Sequence, residues 1–251
     1  MFMVIKNGVK MNKEVVLSIS GGLDSTALLV HLLDKDYDRV HVISFYYGQK
    51  NEIELNKLDL NLRYLKSHKF DIHHTYMNLS SFMGKFNSSL TSEGIYVPTG
   101  KTDETKMKSN FVPNRNAIFS SLIYGYAVSL VKEKDVSVDI ALGVHDGEHT
   151  IPPDSTRLFF EKLESAFKEG NVESDKINYY LPYVDGYKHL IVKDALECCD
   201  NLGLDYKTIF RNSLSCYNPS DSGNSCGKCV ACNDRILAFS KVDIEDSIIY
   251  E

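Results

Sequence analysis

Six residues, Ser20-Gly21-Gly22-Leu23-Asp24-Ser25, combine the groups needed to hold an oxyanion. Two glycines tolerate positive φ and let main-chain N–H groups converge on one point, and the hydroxyls of Ser20 and Ser25 add donors suited to phosphate oxygens. At a junction between a strand and a helix, this arrangement suits a pyrophosphate at the helix N-terminus. Asp24 would repel those phosphates unless a divalent cation lay between, which implies Mg²⁺. The competing reading is a plain Gly-Gly link with Asp24 as the helix cap. No G-x-x-x-x-G-K-S/T is present, so the γ-phosphoryl transfer of an ordinary P-loop ATPase is disfavoured.

A second cluster lies near the other end of the chain. Cys216-x₉-Cys226-x₂-Cys229-x₂-Cys232 offers four thiolates in one short stretch, enough for a closed tetrahedral Zn²⁺ with no open position for water. Such zinc is structural, and its binding energy would help fold a loop too polar to fold unaided. Cys198, further up the chain, falls on the apolar face of a helix and reads as core.

Isolated polar residues complete the candidates. Arg115 is expected in the first turn of a helix, where a cation opposes the helix dipole; it either meets an anion or turns to solvent. Asn116 next to it could read a purine-like edge or face water. Tyr47 and Gln49 follow a strand's carboxyl end, where open α/β sheets place ligands, although Tyr47 could equally be packing. Gly143-Val144-His145-Asp146-Gly147-Glu148-His149 also follows a strand; it could serve a substrate, hold a cation, or be an ordinary solvated loop. Asp154, after Pro152 and Pro153, is placed to cap the next helix.

The elements that must position these residues follow from periodicity. Glu14 to Ile19, Val40 to Phe45, Phe70 to Met77 and Val138 to Gly143 read as strands. Leu28 to Leu33, Leu55 to Leu65, Ala117 to Val131, Leu158 to Phe167 and Ile191 to Leu202 read as helices with one apolar face. Alternation of this kind predicts βαβ units and a parallel sheet of at least four strands, with helices on both faces. Residues 84–110 are polar and aperiodic, which predicts a lid or a disordered loop. The chain is expected to divide into a nucleotide and substrate domain over 1–210 and a zinc-binding segment with a C-terminal helix over 211–251.

Composition excludes other classes. At 251 residues, 43% hydrophobic and 25% charged, the chain is globular rather than fibrous or disordered. Basic residues number 28 against 34 acidic and form no stripe, so an extended nucleic-acid partner is not expected. No apolar run reaches the ~20 residues of a membrane span, and the first residues show no apolar leader segment. A cytoplasmic, reducing setting is expected.

The Ser20–Ser25 segment resembles the PP-loop ATP pyrophosphatase superfamily, which cleaves ATP to AMP and pyrophosphate. Together with Tyr47-Gly48-Gln49, Phe111-Val112-Pro113-Asn114-Arg115-Asn116, Ser215-Cys216-Tyr217-Asn218 and Cys226-Gly227-Lys228-Cys229-Val230-Ala231-Cys232-Asn233, it is similar to the 7-cyano-7-deazaguanine synthase family of queuosine precursor synthesis. The resemblance spans most of the chain. It implies an adenine nucleotide α-hydrolase-like fold with a C-terminal four-cysteine zinc segment, a homodimer, and ATP, Mg²⁺, Zn²⁺, 7-carboxy-7-deazaguanine and ammonia as ligands. The carboxylate would be adenylated, ammonia would give the amide, and a second ATP would activate the amide oxygen so that loss of AMP leaves a nitrile. By the same resemblance Ile19, Ser20, Gly21, Gly22, Leu23, Asp24, Ser25, Thr26, Tyr47, Gln49 and Arg115 bind nucleotide. Ser20, Asp24, Ser25 and Arg115 act in catalysis, and Asn116, Gly143, His145 and Asp154 face the substrate. The chain departs from the family's spelling at Tyr46, usually Asp, at Pro152-Pro153-Asp154-Ser155, usually Tyr-Pro-Asp-Cys, and in the first cysteine spacing, one residue longer. Three rivals remain: a ligase joining the deazaguanine acid to another amine, a protein among them; a tRNA-modifying PP-loop enzyme; and a non-catalytic nucleotide or deazaguanine binding module.

Overall fold

The computed structural model describes residues 5–6, 9–10, 12–101, 103–145 and 152–251. In chain order the strands are β1 (Ile5–Lys6), β2 (Val9–Lys10), β3 (Lys13–Ile19), β4 (Arg39–Tyr46), β5 (Ile72–Asn78), β6 (Ser137–Leu142) and β7 (Ile177–Tyr180). The helices are α1 (Leu23–Leu33), α2 (Ile53–Ser67), α3 (Ser80–Met83), α4 (Glu104–Asn110), α5 (Arg115–Lys134), α6 (Arg157–Gly170), α7 (Lys188–Leu202), α8 (Tyr206–Arg211) and α9 (Val230–Lys241). None of the described helices is long and apolar enough to cross a membrane.

β1 and β2 form a small antiparallel pair, and the other five strands form one parallel sheet in the order β5-β4-β3-β6-β7. Alternate residues of β3 serve opposite faces: Val15, Leu17 and Ile19 join one core, Val16 the other. Helices α1, α2, α7, α8 and α9 cover the first face, and α5 and α6 the second. Leu28, Leu29 and Leu32 of α1 are fully buried, each contributing about 1.5–3 kcal/mol by removal from water. Cys198 sits in this core, as the helix pattern indicates.

The chain winds from β3 to β4 to β5 on one side, then crosses back to place β6 on the other side of β3. The order reverses between β3 and β6. At such a switch point the two connections leave in opposite directions and open a crevice beyond the strands' carboxyl ends. Ser20–Gly22 leaves β3 into that crevice, and Gly143 leaves β6 beside it.

The edge strand β7 brings the sheet to five strands, and its Ile177 is fully buried beside α5 and α6. Residues 84–101 and 103–110 are held by side-chain hydrogen bonds rather than by a periodic apolar face. The Ser88 hydroxyl donates to the Ser109 and Asn110 carbonyls, and Ser89 donates to Asn110 Oδ1 at 2.7 Å. Asp103 caps α4, and Gly100 N–H donates to the Lys228 carbonyl, fastening the segment to the cysteine loop. Beyond residue 211 the chain adds Ala238 and Phe239 of α9 to the larger core. The fully buried Arg235 of α9 bonds Asp246 at 2.7 and 2.9 Å, and donates to the Ser213 and Phe210 carbonyls.

Candidate active site

The switch-point crevice is a cavity of about 390 Å³. Ser20, Gly22, Leu23, Asp24 and Ser25 line one wall, and Tyr47, Arg115, Asn116, Gly143, His145 and Asp154 line others. Ile19, Gly21, Thr26 and Gln49 lie behind these walls. Gly21 adopts φ +95°, a left-handed conformation that disfavours any side chain; a Cβ there would also stand 2.4 Å from the Glu54 carbonyl oxygen.

Hydrogen bonds hold the loop in shape. Ser20 Oγ accepts from Gly22 N–H at 3.0 Å, and Ser25 Oγ accepts from Ser20 N–H at 3.2 Å, with the two hydroxyls 3.1 Å apart. Leu23 N–H reaches Ser215 Oγ, and Leu214 N–H reaches the Gly21 carbonyl. Gly22 is the N-cap of α1, so Asp24 lies inside the first turn and does not cap it.

Lys188, at the start of α7, puts Nζ 2.6 and 2.9 Å from the two Asp24 oxygens, and His145 Nε2 lies 3.7 Å away. Burial alone would raise the Asp24 pKa, but the Lys188 charge and His145 overcome it and hold the carboxyl well below the usual range. Sequence reasoning does not single out Lys188. Signal for it exists, since a cation in a helix's first turn breaks the same local rule that marks Arg115.

Arg115 is half-buried at the start of α5 and donates to Tyr47 Oη at 3.4 Å. No carboxylate among the described residues comes within ion-pair distance of its guanidinium, which is the condition for receiving an outside anion. Tyr47 packs its ring edge-on to Phe119 and also lines the cavity beside Arg115.

Asn116 and Asp154 are joined. Asn116 N–H donates to Asp154 Oδ2 at 3.3 Å, and its side-chain amide donates to the Asp154 carbonyl and Ser155 Oγ. Asp154 therefore serves the N-terminus of α5, while Thr156 caps the following helix α6. Gly143 lies flush against α1: a Cβ there would stand 2.9 Å from Ser25 N. The other charged residues of its loop, Asp146, Glu148 and His149, lie outside the described residues.

Gln49 is buried and acts from below. Its Oε1 accepts from Tyr47 N–H, and its Nε2 donates to the Phe45 carbonyl and to Glu54 Oε1. Glu54 is only 5% exposed, yet it lines the cavity. An acidic residue in a helix's first turn is ordinary, so no sequence signal marks it.

The four cysteines converge behind the PP-loop wall. Their sulfurs all lie within 4.8 Å of one another, and the Cys226–Cys232 pair is 4.0 Å apart. Zn–S bonds of about 2.3 Å in a tetrahedron require about 3.8 Å between sulfurs, so the set fits zinc. Main-chain N–H groups of Asn218 and Cys226 point at Cys216 Sγ, and those of Lys228 and Cys229 at Cys226 Sγ, as thiolate ligands require. Gly227 makes the knuckle at φ +66°. Ser215 and Tyr217 flank Cys216 and both line the cavity, so the cluster positions part of its wall.

Residues 14–243 match the family described as "Queuosine biosynthesis protein QueC". The chain belongs to this family. It is 35% identical to the 7-cyano-7-deazaguanine synthase of Caldicellulosiruptor saccharolyticus, over 94% of this chain and 95% of that protein. Synthases of the same name from Pseudoalteromonas translucida and Rickettsia felis match at 33% and 35%, over 96% and 95% of this chain and 100% and 99% of theirs. A solved structure, U34-tRNA thiolase NcsA from Methanococcus maripaludis, aligns more remotely, at 12% identity and TM-score 0.37, over 96% of this chain and 69% of that one. The fold, the family membership and an enzymatic role agree with the expectations drawn from the motifs.

Proposed function

We propose that this chain is an ATP-dependent carbon–nitrogen ligase that turns 7-carboxy-7-deazaguanine and ammonia into 7-cyano-7-deazaguanine. The observation that carries this reading is a main-chain anion loop and an arginine without a carboxylate partner among the described residues, facing one cavity at the sheet's switch point. A carboxylate oxygen attacks the α-phosphorus of ATP and pyrophosphate departs; ammonia then attacks the acyl carbon and AMP leaves with the C–O electron pair. The amide oxygen repeats the attack on a second ATP. Loss of both N–H protons and of AMP, which takes the C–O electron pair, then makes the C≡N bond.

In this reading the Ser20–Ser25 loop, with the Ser20 and Ser25 hydroxyls, holds the pyrophosphate part, and Arg115 stabilises negative charge on the α-phosphate or the substrate carboxylate. Asp24, which also pairs with Lys188, would hold Mg²⁺, and the ion would supply neutralisation of phosphate charge. Zinc at Cys216, Cys226, Cys229 and Cys232 would be structural. Asn116 and Asp154 shape the acceptor wall, with Gly143 and His145 opposite. The enzyme would act in the cytoplasm as a homodimer. The relatives' names favour the nitrile product over the amide ligase and the non-catalytic module. Incubation with ATP, Mg²⁺, 7-carboxy-7-deazaguanine and ¹⁵N-ammonium should yield labelled nitrile, AMP and pyrophosphate by mass spectrometry. Formation of ADP, or an end product that stays at the amide, would overturn it.

A further inference from the structure

Most of the strongly buried carboxylates already have a partner that answers their charge. Glu14 is paired with His41 at 2.7 Å and Lys134 at 3.3 Å, and Asp139 with Lys13 at 2.7 Å. Asp154 accepts a main-chain N–H at the positive end of α5. Glu54 differs. Its Oε1 accepts from Gln49 Nε2 at 3.3 Å and its Oε2 from Asn51 Nδ2 at 3.0 Å. Among the described residues, no cation lies within ion-pair distance of it and no main-chain N–H donates to it.

Each Glu54 oxygen keeps a lone pair free, and the residue lines the same cavity as Ser20, Asp24 and Arg115. The groups facing it are Gln49, Asn51, Tyr47 and, farther off, Arg115. Desolvation pushes the carboxyl up to about 8 against the lowering effects of Gln49, Arg115 and Asn51. A buried anion site with two fixed amide donors and no resident cation among the described residues suits a small, hydrogen-bonding cation. The reaction proposed above consumes a nucleophile that exists in neutral water almost entirely as such a cation.

We propose that the Glu54 carboxylate binds the ammonium ion and takes one of its protons, releasing ammonia next to the activated acyl carbon. One N–H bond breaks, its electron pair stays on nitrogen as the lone pair that forms the C–N bond, and the proton rests on a Glu54 oxygen until solvent removes it. A group titrating near the working pH is suited to this transfer. The inference rests on the amidation reading, so the test separates the two.

Glu54→Gln and Glu54→Asp would be compared with the unmodified protein in three assays: ammonium-dependent product formation against pH, carboxylate-dependent ATP–pyrophosphate exchange without ammonium, and hydroxamate formation with hydroxylamine, which is uncharged at neutral pH. E54Q should raise the KM for total ammonium about 10²-fold near pH 7. It should leave exchange and hydroxamate formation within about threefold. That defect should stay about constant up to about pH 8, then shrink about tenfold per pH unit towards the ammonium pKa as free ammonia accumulates, and E54D should recover part of it. In the unmodified protein, kcat/KM for total ammonium should rise to about pH 8 and then level, instead of rising on to the ammonium pKa; this profile decides the matter if E54Q does not fold. Equal losses with ammonium and hydroxylamine, an unchanged ammonium KM, or a profile that follows free ammonia alone would overturn the proposal. Absence of carboxylate-dependent exchange in the unmodified protein would overturn the amidation reading, and this inference with it.

Discussion

Lys188 Nζ meets both oxygens of Asp24 at 2.6 and 2.9 Å, and the two side chains are only 14% and 22% exposed. At an effective dielectric near 20, the gross attraction at that separation is about 6 kcal/mol, much of it cancelled by desolvation of both ions. Lys188→Met keeps the methylene packing and removes the charge, leaving a carboxylate that is mostly out of water with only His145, 3.7 Å away, beside it. Breaking a fully buried pair costs about 3–5 kcal/mol; the residual exposure and His145 reduce this to about 2–3 kcal/mol. For a chain of this size that is a fall in Tm of about 4–12 °C. The pH dependence has a definite sign. The folded Asp24 pKa is depressed, so its contribution is complete above the unfolded carboxyl value of about 3.9 and is lost as pH falls through the folded value. The variant lacks that depression, so its deficit should be full at pH 7 and shrink on acidification below about pH 4. Asp24→Asn combined with Lys188→Met removes both charges and should recover most of the lost stability. Thermal melts of the three proteins across pH provide the assay. An unchanged Tm for Lys188→Met at pH 7, or a double variant no more stable than the single one, would refute the reasoning.

Gly143→Ala would force a methyl group to 2.9 Å from Ser25 N and 3.0 Å from Ser25 Cα. Backbone must move, at about 1–3 kcal/mol, and a shift of the anion loop should lower ATP–pyrophosphate exchange by about 10²-fold; wild-type exchange rates would refute the close-approach argument. Cys229→Ser should release about one zinc per chain, lower Tm, and weaken ATP binding through Ser215 and Tyr217, as titration calorimetry and metal analysis would show; full nucleotide affinity without metal would break that link. Arg235→Ala removes the cation beside Asp246, leaving the Tyr250 hydroxyl donating to it, and takes one donor each from the Phe210 and Ser213 carbonyls. It should cost about 3–5 kcal/mol in denaturant unfolding, and a loss under about 1 kcal/mol would contradict the buried-pair reading.

The parts of the fold legible in the sequence are those whose residues are buried on two sides. β3 and β4 carry continuous β-branched and aromatic runs because each faces two cores, and α2 repeats leucine at one-face spacing because Leu58, Leu62 and Leu65 are buried. β7 leaves no such trace: it is a four-residue edge strand whose Ile177 alone is fully buried, too short to show alternation. The polar, aperiodic composition of residues 84–110 predicts a lid or disorder. The described residues of that segment are held by Ser88, Ser89 and Asp103 bonding to backbone and side chains, which leaves no hydrophobic period to detect. At the site, the anion loop and the cysteines are visible because their chemistry is local. Lys188 and Glu54 depend on tertiary placement, the first 164 residues from its partner Asp24.

Tertiary placement also decides what the cysteine cluster is for. Leu214 N–H bonds the Gly21 carbonyl, and Ser215 Oγ accepts from Leu23 N–H, so the residues just before Cys216 form part of the anion loop's outer wall. From the other side, Gly100 N–H bonds the Lys228 carbonyl inside the knuckle, and Ser89 N–H bonds the Ser109 carbonyl near the start of α5, where Arg115 sits. The knuckle therefore joins segments that each contribute to the cavity, around a small apolar cluster of Leu214, Ala231 and the cysteines with Ile53 and Val97 packed against it. A hydrophobic substitute for the cluster would have to bury side chains where Ser215 and Tyr217 now line the cavity. A closed metal site would supply comparable rigidity from four small side chains and leave that wall polar, which is a physical reason for the proposed zinc to stand directly behind the Ser20–Ser25 loop.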